Sequence, residues 1–62
     1  MCEAAAYVVK NGREERILEA VDILETEGDV IKITNIFGEK IELRGRIRSL
    51  SLVEHRIILE PL

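Results

Sequence analysis

The chain has 62 residues, a formal net charge of −3, one Tyr, one Phe and no Trp. That length allows one domain, residues 1–62, and excludes a Rossmann unit, a TIM barrel or a two-domain enzyme with a closing cleft. The acidic balance gives no global attraction to nucleic acid or to an anionic membrane, and 34% charged against 47% apolar residues describes a globular chain rather than a disordered one. With so few aromatics, the core has to be filled by Ile, Leu, Val and Ala. A small aliphatic core is marginal alone, so a homodimer is expected.

In chain order, the first segment is Cys2–Lys10. Its longest apolar run, Ala4 to Val9, falls far short of the roughly 18 residues a membrane helix needs. Glu3 interrupts the N-terminus and no basic region precedes it, so no secretory signal is expected. A single Cys cannot staple one chain. A cytoplasmic protein with a reduced thiol and no membrane contact is expected. Asn11-Gly12 follows, a strong short hairpin signal because both residues tolerate positive φ.

The next segment is ambiguous. In Arg13–Thr26, Ile17, Ala20, Val21 and Leu24 recur at i, i+3, i+4 and i+7, which fits a helix. As strands, Arg16–Ala20 and Val21–Glu25 need a bend near Ala20. Glu27-Gly28-Asp29 is a turn. Val30–Phe37 then alternates Val30, Lys32, Thr34 with Ile31, Ile33, Asn35, and Gly38-Glu39 turns again. Lys40–Arg48 sets Ile41, Leu43, Gly45 and Ile47 against Glu42, Arg44, Arg46 and Arg48, a strand with one wet face. The apolar phase flips at Leu50 and Leu52, which predicts a bulge or bend within Ser49–His55. Arg56–Glu60 is a last short strand, ended by Pro61. Short strands between closely spaced turns point to a compact antiparallel barrel or sandwich.

The catalytic inventory is thin. One His and one Cys are present, with no CxxC, HExxH, GxSxG or Gly-rich phosphate loop. A Cys2–His55 nucleophile and base would need a pocket that so small a chain has little room to build, so no enzyme is expected. Cys2 can be a small packed strand residue. Its position also suits metal. If Met1 is removed, the Cys2 amine and thiolate close a five-membered chelate ring. If Met1 stays, its amine, the Cys2 amide nitrogen and the thiolate form two fused rings. Either set suits a tetragonal N/S ion such as Ni(II) or Cu(II). One chain supplies too few donors, and a two-fold dimer would double them. His55 reads as a surface or capping histidine, although it could join Met1, Cys2 and Glu3 in a cluster. Arg44, Arg46 and Arg48 line one strand face. No aromatics interleave with them for base stacking, and a solvated face paired to glutamates is the simpler reading.

The opening Met1-Cys2-Glu3-Ala4 is followed by Glu27-Gly28-Asp29 and by Ile33-Thr34-Asn35-Ile36-Phe37-Gly38-Glu39. Then come Gly45-Arg46-Ile47 and His55-Arg56-Ile57-Ile58-Leu59. In this order, over nearly the whole chain, they resemble the CooT-like small proteins associated with carbon monoxide dehydrogenase maturation. The resemblance implies an all-β fold, a small antiparallel β-barrel of SH3/Sm-like type, and a homodimer. It also implies Ni(II) bound through the cysteine after the initiator methionine, here Cys2, and it resolves Arg13–Thr26 as strand. The expected function is a nickel-binding accessory protein or metallochaperone, with Cys2 and Met1 as metal residues and a nickel enzyme such as carbon monoxide dehydrogenase as client. The alternatives are a Sm-like RNA-binding module, or a dimeric scaffold in which Cys2 only packs.

Overall fold

The computed structural model describes residues 4–62. Its five strands are β1 (Ala4–Lys10), β2 (Arg13–Glu27), β3 (Val30–Asn35), β4 (Lys40–Ser51) and β5 (Arg56–Pro61). They close into a barrel in chain order. Every consecutive pair is antiparallel, and the closing pair, β1 with β5, is parallel. Parity explains that seam. Each hairpin reverses the chain, so the first and fifth strands of a meander run the same way. The all-β barrel expectation is met, with this one parallel pair as a refinement.

The Asn11-Gly12 hairpin forms as expected, with φ of 52° and 77°. Such primed geometry matches the twist of the flanking strands. Arg13–Thr26 is strand. The first half of β2 pairs with β1 and the second half with β3. Between the halves the chain bends at Ala20, where φ is +55°. The left-handed region costs a non-glycine residue roughly 1–2 kcal/mol. Two contacts hold Ala20 there: it is buried, and its carbonyl accepts the Ile36 N–H at 2.9 Å.

The phase flip after Ile47 is a bulge. Ile47 faces Leu59 and Ser49 faces Ile58, which leaves Arg48 as the extra residue, and β4 then continues to Ser51. The turn after β3 begins earlier than the alternation predicts, at Ile36. Asn35 is the cause. It is buried at 2% exposure, and its Oδ1 accepts the N–H of Phe37 at 3.1 Å and of Glu39 at 2.8 Å. Its Nδ2 donates to Glu39 Oε1 at 2.7 Å. These bonds satisfy a buried amide that would otherwise be costly and turn the chain before Phe37.

The core is the aliphatic set that the composition requires. Ala6, Leu18, Ile31, Ile33, Ile57 and Leu59 form its buried cluster, with Val8, Leu24 and Ile41 among the residues packed against it. Gly45 lets β4 and β5 approach closely. A Cβ there would stand 2.4 Å from the Glu60 carbonyl oxygen.

Candidate functional site

The sequence places its chemistry at the N-terminus. Cys2 and Met1 themselves lie outside the described residues. The described structure begins at Ala4. Ala5 is paired with Arg56, and its N–H donates to the His55 carbonyl at 2.9 Å. The start of β1 is therefore fixed against the turn that joins β4 to β5.

That turn is itself well determined. Ser51 Oγ accepts the Glu54 N–H at 3.1 Å. His55 then takes φ of +58°, a region in which His is enriched and β-branched residues are rare. Reversing there lets β5 run alongside β1. Between Ala4 and the turn lies a recess of about 320 Å³, lined by Ala4, Leu50, Ser51, Leu52, His55 and Ile57. Its walls are mostly apolar, and His55 brings the one imidazole of the chain to it. Leu50 at the end of β4 and Leu52 and Val53 on the turn are 53%, 79% and 89% exposed, so uncovered aliphatic surface gathers beside Ala4. Among those residues no group of three or more His, Cys, Asp or Glu side chains is placed to hold a metal ion. A metal at this end therefore needs donors from outside them.

The first strand carries apolar residues on both faces. Its inward face, Ala4, Ala6 and Val8, is spent on the core. On its other face Tyr7 lies under the Arg56 guanidinium, 4.7 Å from ring centroid to Cζ, and Arg56 also forms an ion pair with Glu14. This clamp spans the parallel seam, and Arg56 carried no sequence signal beyond its β-branched neighbours. Both strand edges of β1 are paired. The two most exposed large apolar side chains among the described residues, Leu52 and Val53, lie on the β4–β5 turn, which the sequence marked only as a phase flip, while Phe37 and Leu62 are exposed elsewhere.

Arg44, Arg46 and Arg48 are exposed, as expected for a wet face. Arg46 stands opposite Glu60, and in the same row Glu42 stands opposite Lys32. Opposite charges directly across strands stabilise each other modestly and dilute the positive potential. No helix of the described residues is long and apolar enough to cross a membrane.

Comparison with known proteins gives concordant matches. The CooT family, described as CO dehydrogenase accessory protein CooT, matches residues 1–60. The crystal structure of a CooT from Carboxydothermus hydrogenoformans superposes with a TM-score of 0.89 at 41% identity, covering 98% of both chains. An uncharacterised protein of Methanocaldococcus jannaschii is 37% identical over 60 residues, 97% of this chain and 98% of its own length. An uncharacterised protein of Archaeoglobus fulgidus is 42% identical over 43 residues, 69% of this chain and 96% of its own.

Proposed function

This chain belongs to the CooT family of CO dehydrogenase accessory proteins, and on that premise we propose that it is a nickel-binding accessory protein or metallochaperone whose Cys2 holds Ni(II) at a homodimer interface. A CooT protein serves carbon monoxide dehydrogenase and is not itself an enzyme. The proposed client is accordingly a carbon monoxide dehydrogenase that must acquire nickel.

The observation that carries the reading is the juxtaposition at Ala4. This residue lines the apolar recess, and Leu50 at the end of β4 and Leu52 and Val53 on the turn stand exposed beside it. Ala4 is two residues from Cys2, and two peptide units reach at most about 7 Å. A second copy seated on that turn covers apolar surface and brings two Cys2 residues to one axis. Isologous pairing of this kind presents every residue twice. Thiolate with amine or amide nitrogen is a donor set that Ni(II) accepts in tetragonal geometry. Met1 contributes its amine if it is retained.

The test is a nickel titration of wild type beside Cys2→Ser. Wild type is expected to bind one Ni(II) per two chains with thiolate-to-metal charge-transfer absorption, and Cys2→Ser is expected to lose both. Binding must displace the thiol proton, so affinity should fall as pH falls. Undiminished, spectroscopically identical binding by Cys2→Ser refutes the assignment.

A further inference from the structure

We propose that two copies of this chain pair by an exchanged knob, the Phe37 ring of each copy seated in the apolar recess beside Ala4 of the other. The inference rests on the homodimer of the reading above, names the surfaces that meet in it, and makes no use of the metal. The chain's one Phe is not in its core. It is 67% exposed, and Ile36 beside it is 52% exposed. The turn that presents them is fixed from within. Asn35 Oδ1 accepts the Phe37 and Glu39 N–H groups, and the Ile36 N–H donates to the Ala20 carbonyl. An aromatic held on a turn that is already ordered loses little freedom on docking, and buried aromatics dominate interface energetics.

The recess is the matching hole. Ala4, Leu50, Leu52 and Ile57 give it apolar walls, and its volume is about 320 Å³. An apolar cavity of about 150 Å³ already admits benzene. Knob and hole lie close together. Ala4 stands opposite Val21, and Val21 opposite Asn35, so two strand spacings, about 10 Å, separate the recess edge from the start of the knob turn. A two-fold axis between them sets each knob against the partner's hole, and both contacts form at once. The area is sufficient for a second copy. Ile36, Phe37, Leu50, Leu52 and Val53 are each more than half exposed. At about 100 Å² apiece, five from each copy withdraw on the order of 1,000 Å² from water, the size at which an interface becomes specific. The charges permit the exchange. Near the knob the exposed acids Glu19, Asp22 and Glu39 outnumber Arg16 and Lys40. Near the recess Arg48 and Arg56 balance Glu54 and Glu14. No block of like charge is opposed.

The experiment has two arms, both on the full chain. Isotope-filtered NOE spectroscopy on an equal mixture of labelled and unlabelled wild type should show contacts between copies, from the Phe37 ring to the methyl groups of Leu50, Leu52 and Ile57. Light scattering, metal-free and nickel-loaded, compares wild type with Phe37→Glu and Phe37→Leu. Phe37→Glu should keep the wild-type circular dichroism spectrum and raise the dimer dissociation constant at least tenfold, while Phe37→Leu, which keeps an apolar knob, recovers most of the pairing. The NOE arm uses wild type alone, so it stands whether or not the variants fold. A wild-type dimer without those contacts, or a folded Phe37→Glu dimer as tight as wild type, overturns this inference and leaves the homodimer reading in place. A wild type that stays monomeric with and without nickel defeats the homodimer reading and this inference with it.

Discussion

At the scale of single residues, three positions carry more of the fold than their size suggests. Asn35 is a buried amide whose oxygen accepts two backbone N–H groups and whose nitrogen donates to Glu39. Asn35→Ala strands those donors, and a loss of about 2 kcal/mol is expected in urea unfolding. Gly45 is required for a different reason. A methyl group there meets the Glu60 backbone at 2.4 Å, and backbone cannot step aside as a side chain can. Gly45→Ala should cost about 3 kcal/mol, the upper end of ordinary overpacking. A thermal midpoint unchanged from wild type would show that β4 and β5 are not so closely apposed. Ala20 is the third. Buried at positive φ, it tolerates no branching at Cβ. Ala20→Val should destabilise more than Ala6→Gly, although both replace a buried alanine.

At the scale of elements, β2 shows what could be read from the sequence and what could not. The hairpin at Asn11-Gly12, the wet face of β4 and the phase flip before β5 were all legible, because turn chemistry and period-2 alternation are local. The strand character of β2 was not. Tyr7 faces Arg16 while Ala6 faces Leu18, so Ile17 is an extra residue; further extra residues fall around Ala20 and at Asp22. Each insertion shifts the alternation by one. Apolar positions that would recur every second residue are thereby respaced to 17, 20, 21 and 24, the spacing of a helix. A barrel with so few strands has to coil its longest one, and the bulges that do this erase the pattern that would announce a strand. The requirement for a bend at Ala20 was still visible. The seam was less so, since nothing local marks Arg56 as a clamp. Its guanidinium joins Tyr7 on β1 and Glu14 on β2 to β5. The pair is more than a third exposed, so Arg56→Ala should lower stability by only about 1 kcal/mol. Hydrogen exchange should show that loss first in the amides of β1 and β5.

At the scale of the whole molecule, a small barrel without aromatic filling leaves apolar side chains it cannot enclose. The composition implied such a surplus, and topology decides where it falls. Both edges of β1 are paired, and the most exposed members of the surplus are Leu52 and Val53 on the β4–β5 turn, 79% and 89% exposed, with Leu62 and Phe37 next. In the proposed dimer Leu52 and Val53 are covered. A Leu52→Glu, Val53→Glu variant should therefore fold with a wild-type circular dichroism spectrum, yet run as a monomer in light scattering at micromolar concentration. A dimer mass for that variant would place the interface elsewhere. The same variant should bind nickel more weakly, because separated chains no longer offer two thiolates to one ion.

The central claim, that two Cys2 thiolates share one Ni(II) between paired chains, is tested most directly by native mass spectrometry of the nickel-loaded protein beside Cys2→Ser. The expected spectrum holds one species of two chains and a single nickel ion, absent from Cys2→Ser. One nickel on each separate chain, or the same loaded dimer in Cys2→Ser, would contradict it.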